Sequence, residues 1–219
     1  ELGLKLNIIK PKKNVLSLLE EIPSFMNDGV TDPASLNTFI ISKNAREHDV
    51  KVLLSGQGAD EYLCGYRRYL SEQLFTYLPN NLINLLSKIG KLFPINYSGY
   101  GNAFIRRARK FSELASLDEM ERLTDYFSWI KADDLEKIFV NSDNIIPMND
   151  LKEFFKLNKN LSNIEALLKA DQKFDLLGLN LTYSDTMSMK SGVELRVPFL
   201  DLELVQLMEA LPLNMKING

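Results

Sequence analysis

Apolar and polar positions alternate in part along Leu4-Lys5-Leu6-Asn7-Ile8-Ile9, which predicts a strand. Val15 to Ile22 reads as a short helical run that stops before Pro23, and Asn27-Asp28-Gly29 has the chemistry of a turn. Asp32 then suits an N-cap with Pro33 at the first helical position, and a helix over about Pro33 to Arg46 puts Leu36, Phe39 and Ile40 on one face. Val50-Lys51-Val52-Leu53-Leu54 is rich in branched apolar residues and predicts a strand buried on both faces of a parallel sheet. The loop Ser55-Gly56-Gln57-Gly58 follows, then a helix starting near Ala59 or Asp60.

From about Leu70 to Lys156 the pattern is mostly helical, broken at Pro79, Pro94 and Gly101, with a polar loop over Asn141 to Asp150. Ile164 to Leu181 predicts a long amphipathic helix, and a second runs from about Tyr183 to near Gly192. Pro198 and Asp201 introduce a last helix through Leu207, closed by Pro212. Strands therefore gather in the first quarter and helices elsewhere. This is the layout of an α/β domain, a small parallel sheet remnant over residues 1–70 followed by a helical part over 71–219.

Composition changes this picture little. A net charge of -3 gives no overall pull toward nucleic acid or anionic membrane. The local basic run Arg106, Arg107, Arg109 and Lys110 reads as a solvated helix face. No stretch approaches the roughly 18 apolar residues of a membrane span, and no signal peptide pattern is present. The single cysteine, Cys64, rules out an intrachain disulfide, reads as a small buried apolar residue and fits a reducing, cytoplasmic setting. The single histidine, His48, suits a solvated helix end.

Two runs carry the chemistry. In Leu54-Ser55-Gly56-Gln57-Gly58-Ala59-Asp60-Glu61 a strand passes through a glycine loop into a helix. Parallel sheets bind ligands beyond the carboxyl ends of their strands, and the helix behind such a loop aims unpaired N–H groups at an anion. Two glycines let the backbone approach a ligand closely, and Asp60 can hold a hard divalent cation with phosphate sharing the coordination. Asp60 and Glu61 also suit the first helical turn with no ligand at all. In the second run, Asp185 to Asp201, Met187 and Met189 read as packing residues. Glu194 and Arg196 share one side of an extended segment and suit a polar pair beneath the core.

Together the runs resemble the asparagine synthetase (glutamine-hydrolysing) family in its C-terminal ATP-dependent synthetase domain. The family loop S-G-x-G-x-D-E followed by G-Y matches Ser55 to Glu61 with Gly65-Tyr66. The later D-x-x-S-M and E-x-R-x-P-F-L-D signatures match Asp185 to Met189 and Glu194 to Asp201. The stretch Asp28 to Leu36 is also similar, whereas about Ser71 to Ser162 adds little. The resemblance implies an adenine-nucleotide α-hydrolase-like (pyrophosphate-loop) fold over 1–219. It implies that aspartate, ATP and ammonia become asparagine, AMP and pyrophosphate through β-aspartyl-AMP, with ammonia delivered by an N-terminal glutaminase domain. It further implies that Leu54, Ser55, Gly56, Gln57 and Gly58 line the adenylate pocket, that Asp60 binds Mg2+, and that Asp185, Glu194 and Arg196 are structural.

Four departures qualify this. Gln57 stands where the best-known members have a glutamate, and a neutral amide cannot take a proton from the attacking amine. That suggests altered chemistry or a proton taken by another group or water, and keeps open β-lactam-forming and macrolactam-forming synthetases and amidotransferases acting on sugars or other metabolites; a non-catalytic nucleotide-binding module is a separate alternative. The family's S-G-G-x-D-S loop is expected upstream of Glu1 and its catalytic lysine beyond Gly219. The glutaminase domain is likewise expected outside the chain, so the chain is expected to be an internal piece that is inactive alone.

Overall fold

A computed structural model of the chain describes residues 3, 8, 9, 26, 32–90, 103–130, 134 and 148–217. In chain order its elements are α1 (Ala34–Glu47), β1 (Val52–Leu54), α2 (Ala59–Leu63), α3 (Arg67–Tyr77), α4 (Asn80–Gly90), α5 (Ala103–Leu114), α6 (Glu119–Asp125) and α7 (Asn149–Leu157). Then come α8 (Asn163–Ala170), a π-helix (Asp171–Asn180), α9 (Leu181–Lys190), β2 (Glu194–Arg196), a 3-10 turn (Pro198–Leu200), α10 (Leu202–Ala210) and α11 (Leu213–Lys216). The described residues are thus mostly helical with one two-stranded parallel sheet, β1 beside β2. They fall into two compact units. One joins the described residues up to Leu63 with Asp171–Leu213, and the other holds those of Cys64–Ala170 and from Asn214 on. The helical part expected over 71–219 is therefore shared between the units, because the pairing of β2 with β1 draws its last third back to the first strand.

In the first unit, α1 begins where the Asp32 Oδ1 accepts the Ala34 N–H at 2.7 Å, the cap expected of Asp32-Pro33. The helix ends in a left-handed Asp49 (φ 59°), with Asp49 N–H donating to Arg46 O and Val50 N–H to Ala45 O. That end motif consumes Val50, so β1 starts at Val52 and is shorter than the expected Val50–Leu54. Nor is β1 buried on both faces: Val52 and Leu54 are 39% and 72% exposed, with no described layer covering the side they share. Helix α1 packs on α9 through Leu36, Tyr183 and Met187, with Met26, Phe39, Ile40 and Leu179 around them. Met189, expected in the core, is exposed.

The expected break between a helix ending at Leu181 and one starting at Tyr183 is absent. The chain runs from α8 through the π-helix into α9 without interruption. A π turn bonds i to i+5, so it shifts the apolar face and a 3.6-residue period loses step there. The final helix likewise differs. Asp201 caps α10 by accepting from Glu203 and Leu204 N–H groups, α10 continues past Leu207 to Ala210, and α11 follows Pro212.

In the second unit, Pro79 separates α3 from α4. Leu78 is extended (ψ 133°), as the residue before a proline prefers, while the Pro79 carbonyl accepts from Leu82 and Ile83 to start the next helix. Phe75, Leu114 and Ala115 form an apolar core, with Phe111 stacked 4.5 Å from Phe75. Beneath α3 the fully buried Glu72 receives Arg122 Nε at 2.9 Å and Nη2 at 2.8 Å. It also receives Asn163 Nδ2 at 2.8 Å and the Tyr126 hydroxyl at 3.2 Å. Burial pushes the Tyr126 phenol well above its ordinary 10.0. A phenol raised in this way contributes stability that is complete below the unfolded value and is lost as pH rises through the folded one. Tyr126→Phe is therefore expected to lose about 1 kcal/mol at neutral pH through the missing hydrogen bond. It should also show a shallower loss of melting temperature above about pH 10. Parallel alkaline profiles for the two proteins would contradict this.

The strand expected at Leu4–Ile9 lies outside the described residues at 4–7, and Ile8 and Ile9 belong to no strand. The helix at Val15–Ile22, the turn at Asn27–Gly29 and the breaks at Pro94 and Gly101 also lie outside them. Of the expected loop Asn141 to Asp150, residues 141–147 lie outside, while Asn149 and Asp150 already belong to α7. Among the described residues no helix is long and apolar enough to cross a membrane.

Candidate functional site

The two motif runs meet at the carboxyl end of the sheet. Val52, Leu53 and Leu54 register with Glu194, Leu195 and Arg196, and the Ser55 N–H extends the ladder to the Arg196 carbonyl at 2.8 Å. The loop that leaves β1 thus starts beside the end of β2. Within it the Gln57 N–H donates to Ser55 Oγ at 3.3 Å. Gly58 has φ 92°, a conformation that side chains disfavour. It is buried against the turn after β2: a Cβ added there would run into Leu200 Cδ2 and stand 3.0 Å from Leu200 Cγ. Gly58→Ala is expected to destabilise the protein by about 1–3 kcal/mol, from backbone strain and displacement of Leu200. Chemical denaturation checks this, and an unchanged midpoint would contradict it.

Gly56 is different. It is exposed, and a Cβ on it would meet nothing within 4 Å, so no described protein atom demands a glycine there. Leu54 is exposed, and Ser55 and Gln57 are partly buried. The amide of Gln57 turns inward, its Nε2 donating to Ser184 Oγ at 2.6 Å and to the Asn180 carbonyl at 3.3 Å. Adjacent carboxylates on α2 also diverge, as successive positions of a helix must. Asp60 faces outward and is exposed. Glu61 is 2% exposed, with Asn180 Nδ2 on its Oε1 at 3.1 Å and Gln172 Nε2 on its backbone carbonyl at 3.2 Å.

Tyr183 completes the inner side of the loop. Burial raises its phenol, and the nearby Asp32 and Glu61 carboxylates add to the rise, while hydrogen bonds from Gln57 and Ser184 oppose it. The residues expected to form the pocket, Leu54 to Gly58 with Asp60, are thus contiguous at one end of the sheet. Asp185 is exposed on α9. Glu194 and Arg196 do pair, Oε1 to Nε at 2.8 Å, but both are exposed rather than beneath the core, since nothing described covers that face of β2. Sequence reasoning missed Gln172, Asn180, Tyr183 and Ser184. Only for Glu61 was a signal present: neighbours on a helix point about 100° apart, so Asp60 and Glu61 cannot both face one ligand.

Among the described residues no group of three or more His, Cys, Asp or Glu side chains is arranged to hold a metal. The only carboxylate of the loop-helix run that faces outward is Asp60. That donor set fits a cation only if other oxygens, such as those of a phosphate, complete its shell. Cys64 is buried, with φ 57°, and His48 is exposed at the end of α1 with Nδ1 2.9 Å from Asn44 O. On α5, Arg106 and Arg107 are exposed, Arg109 pairs with Glu113 and Lys110 with Asp125, as a solvated face would.

The profile of the asparagine synthase family matches residues 2–219. A Mycobacterium tuberculosis protein, provisionally named as a glutamine-hydrolyzing asparagine synthetase, is 30% identical over 224 residues, covering 93% of this chain and 30% of that protein. A Mycobacterium bovis protein of the same name matches to the same extent. Glutamine-hydrolyzing asparagine synthetase 1 of Bacillus subtilis is 26% identical over 225 residues, covering 97% of the chain and 32% of that protein. The chain thus spans about a third of the length of the curated relatives it matches. No solved structure matches it significantly. With a family profile aligned along essentially its whole length and the two motif runs side by side, the chain belongs to the asparagine synthase family.

Proposed function

We propose that the chain is the nucleotide-binding part of an enzyme that forms amide bonds at the expense of ATP, with aspartate as the acid and ammonia as the amine. The supporting observation is the split character of the loop after β1. Gln57, Gly58 and Glu61 are committed to the protein's interior, while Gly56 and Asp60 face outward with open space at Gly56. A glycine that no described protein atom requires is accounted for by close approach of a ligand to the backbone.

In this reading Leu54, Ser55, Gly56, Gln57 and Gly58 cup the AMP moiety, and the adenine-nucleotide α-hydrolase-like fold extends over 1–219. Asp60 holds a magnesium ion, which would neutralise charge on the departing pyrophosphate. The aspartate carboxylate attacks the α-phosphorus, and the bond to the β-phosphate breaks. The amine nitrogen then adds to the acyl carbon, AMP leaves with the bonding electron pair, and the amine loses a proton. A carboxylate is a poor electrophile, so adenylation supplies the leaving group it lacks. The protein's share is positioning and charge stabilisation. Ammonia comes from a glutaminase domain of the same full protein, in a reducing cytoplasmic setting that keeps Cys64 as a thiol.

Calorimetric titration of ATP into the full protein tests this. Magnesium-dependent binding is expected, weakened at least about tenfold when the metal is chelated. No binding with magnesium present would contradict the proposal.

A further inference from the structure

We propose that Gln57 is a positioning residue: its side-chain amide fastens the loop Ser55–Gly58 to the junction of the π-helix and α9, and this closes position 57 to any role as proton acceptor. The fastening stands on geometry alone, and its consequence for the amine step rests on the amide-forming reading above.

The argument begins with Asn180. Its backbone carbonyl can only accept, so the group 3.3 Å away must be a donor, which orients the Gln57 amide with Nε2 toward the helix. The same Nε2 lies 2.6 Å from Ser184 Oγ, one turn further along α9. Asn180 holds α2 as well, because its Nδ2 donates to Glu61 Oε1, and Gln172 Nε2 binds the Glu61 carbonyl. The π-helix thus grips the strand-loop-helix run at Gln57 and at Glu61, on either side of Gly58. The Gln57 Oε1 is buried, and no partner among the described residues bonds it. The amide therefore acts here through its N–H groups alone.

A glutamate in this pose would set a carboxylate oxygen against the Asn180 carbonyl oxygen, and its second oxygen would be buried where Gln57 Oε1 finds no donor. The Ser184 hydroxyl and the Tyr183 phenol could donate to it, but neither carries a charge. Among the described residues, the titratable groups here are the Tyr183 phenol on α9 and the Asp32 and Glu61 carboxylates that act on it from before α1 and from α2, none of them cationic. A carboxyl group at 57 would therefore be held protonated, since only its acid form can donate to the carbonyl. Such a group supports the fold fully below its unfolded pKa, and that support is lost as pH rises through its folded pKa.

The test compares unmodified full protein with Gln57→Glu and Gln57→Met from about pH 5 to about pH 8, measuring melting temperature and MgATP affinity. Relative to unmodified protein, Gln57→Glu should lose roughly 4–8 °C across this range. Its MgATP affinity should fall about tenfold over the same interval. Gln57→Met should be less stable by an amount independent of pH, because it removes the donor without adding a titratable group. A Gln57→Glu profile parallel to that of unmodified protein would overturn the fastening. So would a Gln57→Met protein as stable as the original, which decides the matter if Gln57→Glu does not fold. Faster amide formation by Gln57→Glu at high pH would overturn the exclusion of a base at 57. Absence of MgATP binding by unmodified protein, alongside the expected melting profiles, would support the fastening and sink the nucleotide reading alone.

Discussion

Asp60→Asn is expected to lower magnesium-dependent turnover of the full protein at least about a hundredfold while its melting temperature changes little. The carboxylate sits in the first turn of α2 and is exposed, so its contribution to folding is limited to a weak interaction with the helix end. Its neighbour Glu61 carries the structural load, buried and bonded by Asn180. An amide keeps the shape of Asp60 but supplies a neutral oxygen where a divalent ion favours a charged one. The measurement is turnover against magnesium concentration, paired with a melting curve. Unchanged turnover would remove Asp60 from the metal role, and a large drop in melting temperature would make it a structural residue instead.

The largest effect on stability is expected at Glu72. Glu72→Gln conserves volume, yet it removes the carboxylate that binds the Arg122 guanidinium and leaves it only the weaker attraction of Glu119, with 12% of that side chain exposed, beneath α3 and against the Phe75 ring at 4.5 Å. Removing one partner of a buried ion pair costs about 3–5 kcal/mol, because the other charge stays desolvated. Burial works against the Arg122 charge, and bonding to Glu72 outweighs it, so the guanidinium is held in its charged form. The variant should unfold at a clearly lower denaturant concentration. A double replacement, Glu72→Met with Arg122→Met, should lose much less, because both charges then leave the interior. If Glu72→Gln alone denatures like the original, the pair is not what holds the second unit together.

These residues also mark how far the fold could be read without coordinates. Among the described residues, expectations set by local physical rules were met at the Asp32-Pro33 start of α1, the break at Pro79, the strand-loop-helix order around Ser55 to Glu61 and the extended segment through Glu194 and Arg196. The capping box of Asp118 and Glu121 at the start of α6 carried the same kind of signal and went unread. The misses share a different cause. The π-helix is invisible to a period of 3.6, and the shortening of β1 depends on a left-handed Asp49 that no periodicity reports. The exposure of Leu54, Met189, Glu194 and Arg196 depends on which layers cover them, a long-range property.

The candidate site divides in the same way. Its outward half, Gly56 and Asp60, was singled out from residue type and spacing. Its inward half was not. Gln172, Asn180, Tyr183 and Ser184 lie more than a hundred residues from the loop they support, in a helical stretch whose pattern offers only packing information. Gln57 was noticed as an oddity in the sequence, yet what it bonds to could come only from the fold.

What stands or falls with all of this is adenylation by the loop after β1, and the decisive assay is product identification from the full protein given MgATP and aspartate. Pyrophosphate should appear only with magnesium, and once ammonia or glutamine is supplied AMP and asparagine should form in amounts equal to it. ADP with orthophosphate in their place, or no pyrophosphate with any carboxylic acid offered, would show that the loop does not serve that chemistry.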